Sequence, residues 1–178
     1  MTALVLLVVV GVGSWSLAVS RADDTSSAAS SADEIRMGVP TIVSAEALEE
    51  FAATHYPLYW RGEVPDTEIE LTLTANSGTF VRYLPEGSAA GDPSKHLTVA
   101  TYHALTGYEG LEGADTDLAT VEHTRSGAVV AVFDNRPLST YFSFENAAFQ
   151  VEVYSPEKNE SKKLTDDGAI TLVGGETS

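Results

Sequence analysis

The 178-residue chain is 43% apolar and 20% charged, and 26 acids against 10 Lys and Arg give it a formal charge of −16; this size suits one domain with a short appendage. A phosphate-reading surface needs clustered Lys and Arg, so a nucleic-acid partner is excluded, Lys162-Lys163 being the sole adjacent basic pair. The absence of cysteine excludes disulfides, thiolate metal sites, a Cys nucleophile and a lipidated-Cys anchor.

Ala3 to Val19 is apolar, broken only by Gly11, Gly13, Ser14 and Ser16. As a helix it would span roughly 26 Å, just short of the ~30 Å hydrocarbon core. Residues 1–20 are therefore expected to be a transmembrane anchor or a signal segment, with small residues at Ala18-Val19-Ser20 and Ser20-Arg21-Ala22 offering cleavage positions. No basic residue precedes the segment and Arg21 follows it, so charge leaves its orientation open. Residues 21–38 are polar and Ser/Ala-rich, which predicts a flexible linker, and residues 1–38 are expected to be dispensable for folding. Residues 39–178 then form one extracytoplasmic domain, at the cell membrane or secreted after cleavage.

Ser44 is an N-cap for a helix from Ala45 to about His55, with Leu48, Phe51, Ala52 and His55 on one face. The period then changes to two. Tyr56–Trp60 reads as a short strand, and Glu68–Thr74 alternates Ile69, Leu71 and Leu73 against polar residues. The Asn76-Ser77-Gly78 turn joins it to Thr79–Leu84 as a hairpin. A loop from Glu86 to Lys95, a strand from Leu97 to Tyr102 and a glycine-broken stretch from His103 to Asp117 follow. Four strands are expected at Leu118–Thr124, Ala128–Phe133, Ser139–Phe144 and Ala148–Tyr154. A short helix is expected from Pro156 to Leu164, then a last strand at Ala169–Val173. The aromatic echo of PLYW…ELTLT in TYFSF…FQVEVY raises a divergent internal duplication. Together these elements predict an α+β fold, a curved antiparallel sheet of seven to nine strands with one main helix packed on a face; the alternative is an all-β sandwich.

No frame of residues carries a catalytic or cofactor signature. His55, His96, His103 and His123 make no metal-binding helical pair, and no serine sits in a nucleophile elbow. Glu109, Glu112, Asp115 and Asp117 are a weak calcium candidate whose spacing fails the EF-hand template. Asn159-Glu160-Ser161 matches a glycosylation sequon. The ligand-site candidates are Tyr59, Trp60, Arg82 and Tyr83, aromatics and a cation on neighbouring strands. Consecutive Tyr59 and Trp60 should point to opposite faces, one in the core and the other exposed or packed on a loop. Arg82 alternates with Phe80 and Leu84; it must either line a groove or pair with an acid of the facing strand, Glu68 or Glu70.

Pro57-Leu58-Tyr59-Trp60-Arg61-Gly62, Glu70-Leu71-Thr72, Val81-Arg82-Tyr83-Leu84-Pro85, Gly91-Asp92 and Gln150 to Pro156 together resemble uncharacterised exported or single-span proteins of high-GC actinobacteria. The resemblance spans roughly residues 44–173; it implies a kind of protein and no assigned activity, and the glycines between His103 and Asp117 depart from its pattern. The expected function is a non-enzymatic module that binds a ligand or a partner protein at the cell envelope. The alternatives are an exported hydrolase using acidic residues and a structural envelope subunit.

A charge of −16 makes the folded state repel itself. The melting temperature should therefore rise between low salt and about 0.5 M NaCl, as counterions screen the repulsion. A flat or falling curve in calorimetry would show that the acids are already neutralised locally.

Overall fold

The computed structural model describes residues 29–174 apart from Ser77, Leu105 and Asp115. The apolar segment 1–20, and with it any span or signal, lies outside the described residues; among those described, no helix is long and apolar enough to cross a membrane.

The fold is α+β. Its strands are β1 (Thr41–Val43), β2 (Leu58–Trp60), β3 (Thr67–Leu73), β4 (Thr79–Pro85), β5 (Thr98–His103), β6 (Ala119–His123), β7 (Ala128–Phe133), β8 (Ser139–Phe144), β9 (Phe149–Tyr154) and β10 (Thr171–Val173). The helices are α1 (Ala45–Thr54), α2 (Gly107–Glu112) and α3 (Glu160–Asp166). Eight strands form one antiparallel sheet in the order β1-β3-β4-β5-β9-β8-β7-β6, and β10-β2 is a separate two-stranded ribbon. The sheet is thus two meanders, β3-β4-β5 and β6-β7-β8-β9, joined where their last strands pair with Thr98 opposite Tyr154 and His103 opposite Phe149.

Alternation along the strands divides the sheet into two faces. On the first, Val43, Ile69, Leu71, Val81, Tyr83, Val99, Val130, Phe142, Val151 and Val153 are buried against α1, α3 and the β2–β10 ribbon. Ser44 Oγ accepts from Ala47 N at 3.1 Å and starts α1, whose Leu48, Phe51 and Ala52 enter this core. On the second face α2 sets Leu111 against Val129, Ala131 and Tyr141. A Cβ on Gly107 would lie 2.9 Å from the Phe149 carbonyl, so the start of α2 seats on β9 only because residue 107 has no side chain. A duplication whose two-fold axis ran through the β5–β9 seam would put α1 and α2 on one face, and they lie on opposite ones.

Three expectations are corrected. All three β2 residues are buried, so Tyr59 and Trp60 are both interior, and of the two expected alternatives the exposed ring does not occur because the strand is covered on both sides. The helix expected from Pro156 starts only at Glu160, because Ser155 Oγ accepts from Glu157 N and Asn159 takes a left-handed conformation at φ 65°. The stretch 29–38 is not free linker. Ser30 bridges Val43 and Met37 bridges Leu73 in parallel, Ser30 N donates to the Ile42 carbonyl at 2.9 Å, and Ala32 and Ile35 pack on the core.

This strap makes truncation position-dependent. A chain beginning at residue 29 should keep full stability, whereas one beginning at residue 39 loses the Ile35 contact and the bridges, costing roughly 2 kcal/mol. Urea midpoints of the two chains check this; equal midpoints would show that the strap adds nothing.

Candidate functional site

The four expected ligand residues are not brought to one surface. Tyr59, on the ribbon strand β2, is buried with its ring 5.3 Å from that of Phe142 and 5.1 Å from that of Phe149. Tyr83 is buried on the first face, where its hydroxyl accepts from Arg61 N at 2.6 Å. Arg82 points to the second face, directly opposite Glu70 in the β3–β4 register. Its Nη1 donates to Glu70 Oε1 at 2.7 Å, and its Nη2 donates to the carbonyls of Asp92 at 2.7 Å and Ser94 at 3.0 Å. Gly91 N donates to the other oxygen of Glu70, which is wholly buried. Arg82 is therefore a structural ion pair that clamps the loop 86–97 over β3 and β4, as the facing-strand alternative anticipated. Within this loop, hydrogen bonds from His96 and from Ser94 N hold Asp92 down to about 2.

Glu109 and Glu112 stand on α2, Glu112 lies 3.5 Å from His123 Nε2, and Asp115 is outside the described residues. Among the described residues no group of three metal-binding side chains converges.

What the second face does assemble is a row perpendicular to the strands. Cross-strand pairing sets Thr72, Phe80, Ala100, Glu152, Tyr141, Ala131 and Val121 side by side. Glu152, 5% exposed, is its polar centre. Its Oε1 accepts from Ser139 Oγ at 2.7 Å and from the Tyr141 hydroxyl at 2.9 Å, and its Oε2 accepts from the Tyr102 hydroxyl at 2.9 Å. Arg136, in the β7–β8 turn, donates Nη1 to the Tyr141 hydroxyl at 3.0 Å and stands 3.8 Å from Glu152. A buried carboxylate is tolerated only with such a set of donors and a nearby cation.

Beside this centre, between the clamped loop and α2, the face is partly open. Phe80 and Tyr102 meet edge-to-face with centroids 5.7 Å apart, and with Thr72 and Gln150 they are half-buried. Ala100, opposite Phe80 in the β4–β5 register, is buried at 2% exposure. The Tyr102 hydroxyl is fixed by Glu152, so its ring is held in place without a ligand. The sequence reading missed Glu152, Ser139, Tyr141 and Arg136. The available signal was Ser139, Tyr141 and Ser143 alternating against Thr140, Phe142 and Phe144, a hydroxyl-rich face on a strand between apolar strands.

No known protein family, curated protein or solved structure matches this chain.

Burial pushes the phenols of Tyr59 and Tyr141 up to about 12, with the Glu152 charge adding at Tyr141; burial also raises Tyr83 and, together with Glu152, Tyr102. Unfolded tyrosines ionise near pH 10, so the folded state holds these protons more tightly. Their contribution is full below about pH 10 and is lost as pH rises from 10 toward 12. Phenolate absorbance at 295 nm should therefore lag that of the urea-unfolded chain and join it where the fold collapses. Coincident curves would mean the phenols are exposed.

Proposed function

We propose that the chain is an envelope-tethered, extracytoplasmic and non-enzymatic domain that binds a ligand or partner on the open strip of its second sheet face. The observation that carries this reading is the partly exposed Phe80–Tyr102 pair, with Gln150 on the same face and the Tyr102 hydroxyl held by Glu152. Aromatic side chains already held in one orientation lose little entropy on binding and offer large apolar faces next to polar groups. The apolar segment 1–20, the polar stretch that follows it and the resemblance to exported or single-span proteins support the tether. Residues 29–38 pack on the domain rather than belonging to the expected linker.

A hydrolase using paired acids is less well supported. The two buried carboxylates on this face, Glu70 and Glu152, are separated by β4 and β5. Three strand spacings put them roughly 14 Å apart, beyond the reach of an acid–base pair on one scissile bond. Each is also committed, one to Arg82 and Gly91 and the other to three hydroxyls.

The test is affinity capture from envelope extracts on the immobilised chain, compared with Phe80→Ala and Gln150→Ala variants whose melting has been checked. Species bound by the original chain should fall at least about tenfold on the variants, the loss of roughly 1.4 kcal/mol or more expected when an aromatic anchor is truncated. Unchanged capture by both variants would remove the strip as the site.

A further inference from the structure

Among the described residues four large apolar side chains stand in the open: Met37 at 63% exposure, Val39 at 49%, Tyr56 at 44% and Leu118 at 61%. A single exposed apolar residue is ordinary, so it is their grouping that carries information. Leu118 precedes β6, at the end of the sheet where β7 finishes and β8 starts. The other three gather at the opposite end. Met37 bridges Leu73, the last residue of β3, and Tyr56 sets its ring 5.4 Å from that of His103, the last residue of β5. With β4 between β3 and β5 and Met37 on the outer side of β3, this corner measures three strand spacings, roughly 14 Å.

The turn that carries Met37 and Val39 is fixed to the sheet. Gly38 N donates to the Leu73 carbonyl at 2.8 Å, Val39 N donates to the Arg36 carbonyl at 3.2 Å, and Gly38 takes the left-handed φ of 76° that the turn requires. The corner is also free of acids in a chain that has 26. Residues 36–40, 54–57 and 74–78, with His103, contain Arg36 as their only full charge. On the β6–β9 half of the same end stand Glu112 and Glu145, and the connections at the far end carry Glu63, Asp66, Glu86, Asp92 and Asp134. Strands of seven residues put those far-end acids roughly 20 Å from the corner, about two screening lengths at physiological salt.

We infer that this corner rests on the surface of the lipid bilayer that holds the apolar segment 1–20, with Met37, Val39 and Tyr56 entering the headgroup layer and Arg36 meeting a lipid phosphate. The inference rests on the tethered reading given above. Residues 21–28 cover at most roughly 28 Å even when fully extended, so the bilayer is never far from the domain. Ser30 bridges Val43 on the same edge of the sheet, roughly 13 Å along the strands from Met37, which leaves the corner within that reach. Apolar side chains flanked by a cation suit the boundary between headgroups and acyl chains, where a tyrosine ring sits with its hydroxyl toward water. Three side chains give a weak contact, and a weak contact suffices because the tether holds the domain at a high effective concentration beside the surface. Anionic lipid repels the acidic far end and attracts Arg36, which favours the same orientation. The strands then rise from the bilayer and the Phe80–Tyr102 strip faces sideways, open to a ligand.

The chain has no cysteine, so one introduced thiol reports on its own position without background. Full-length Met37→Cys, Tyr56→Cys and Leu118→Cys, each checked for native melting, carry the same bimane dye into vesicles of phosphatidylcholine and phosphatidylglycerol. Nitroxide-labelled lipid should quench the dye at positions 37 and 56 at least about threefold more strongly than at position 118. Adding Met37→Asp and Val39→Asp to Tyr56→Cys should bring the quenching at position 56 down to the level of position 118, since two carboxylates replace the apolar contact. Equal quenching at all three positions, in chains that float with the vesicles, overturns the docked corner and leaves the tether standing. Quenching at position 56 that the two aspartates do not move overturns it as well. Chains that fail to float with the vesicles overturn the tether and the docked corner together.

Discussion

A carboxylate buried at the seam between two meanders is the constraint on which the rest of this domain depends. Glu152 sits on β9, at the junction with β5, and collects hydroxyls from β5 and from two positions on β8. A buried charge left without partners costs several kcal/mol, whereas one fully hydrogen-bonded specifies a single arrangement of the groups around it. The seam cannot slip by one residue without turning Glu152 into the apolar core of the first face and Val151 or Val153 onto the polar side. The network therefore fixes the register in which the two halves meet, and the placement of the Tyr102 ring follows from it.

The Glu70–Arg82 pair is a second, separate lock on the same face. It joins β3 to β4 and draws in the carbonyls of Asp92 and Ser94, so a loop without regular structure is held over the sheet. Removing one member of such a pair leaves an uncompensated buried charge, which typically costs about 3–5 kcal/mol. Among the described residues the first face is held mainly by aliphatic and aromatic burial, with polar contacts such as Tyr59 N to Thr101 Oγ1 at 2.9 Å and Thr140 Oγ1 to Ser161 Oγ at 3.1 Å. Apolar burial thus builds one side of the molecule, while directional bonds position the side that carries the candidate strip.

Local rules made much of the fold legible. Strict alternation in β3, the turn before β4 and the Ser44 cap of α1 are decided within a few residues, and the elements stand close to where those signals place them. The Arg82 partner was legible too, because hairpin register puts Glu70 opposite it. The burial of both Tyr59 and Trp60 was not, since it depends on β10 arriving from more than a hundred residues away to pair with β2. Residues 29–38 look like linker by composition, yet Ile35 and two backbone bridges suffice to fix them against an existing edge. In the Glu152 centre, Arg136, Ser139 and Tyr141 reach the carboxylate through the local β8–β9 hairpin, but Tyr102 becomes its neighbour only after β5 and β9 pair, which no local pattern announces.

That late pairing has a consequence for how the chain reaches its native state. Each meander closes through sequence-local hairpins, but β5 keeps an unpaired edge until β9 exists, and the connection between them is long. Non-local closure is the slow step in sheet proteins and the one during which an exposed edge can capture the wrong strand. Here the wrong strand is β9 of another molecule, supplied with the same hydroxyl acceptor geometry as the right one. Gly107, Gly110 and Gly113 lie in the stretch that would have to open for such an exchange. A domain-swapped species, in which another molecule contributes the second meander, would keep the native strand pairings at the seam and so is the misassembly this topology allows.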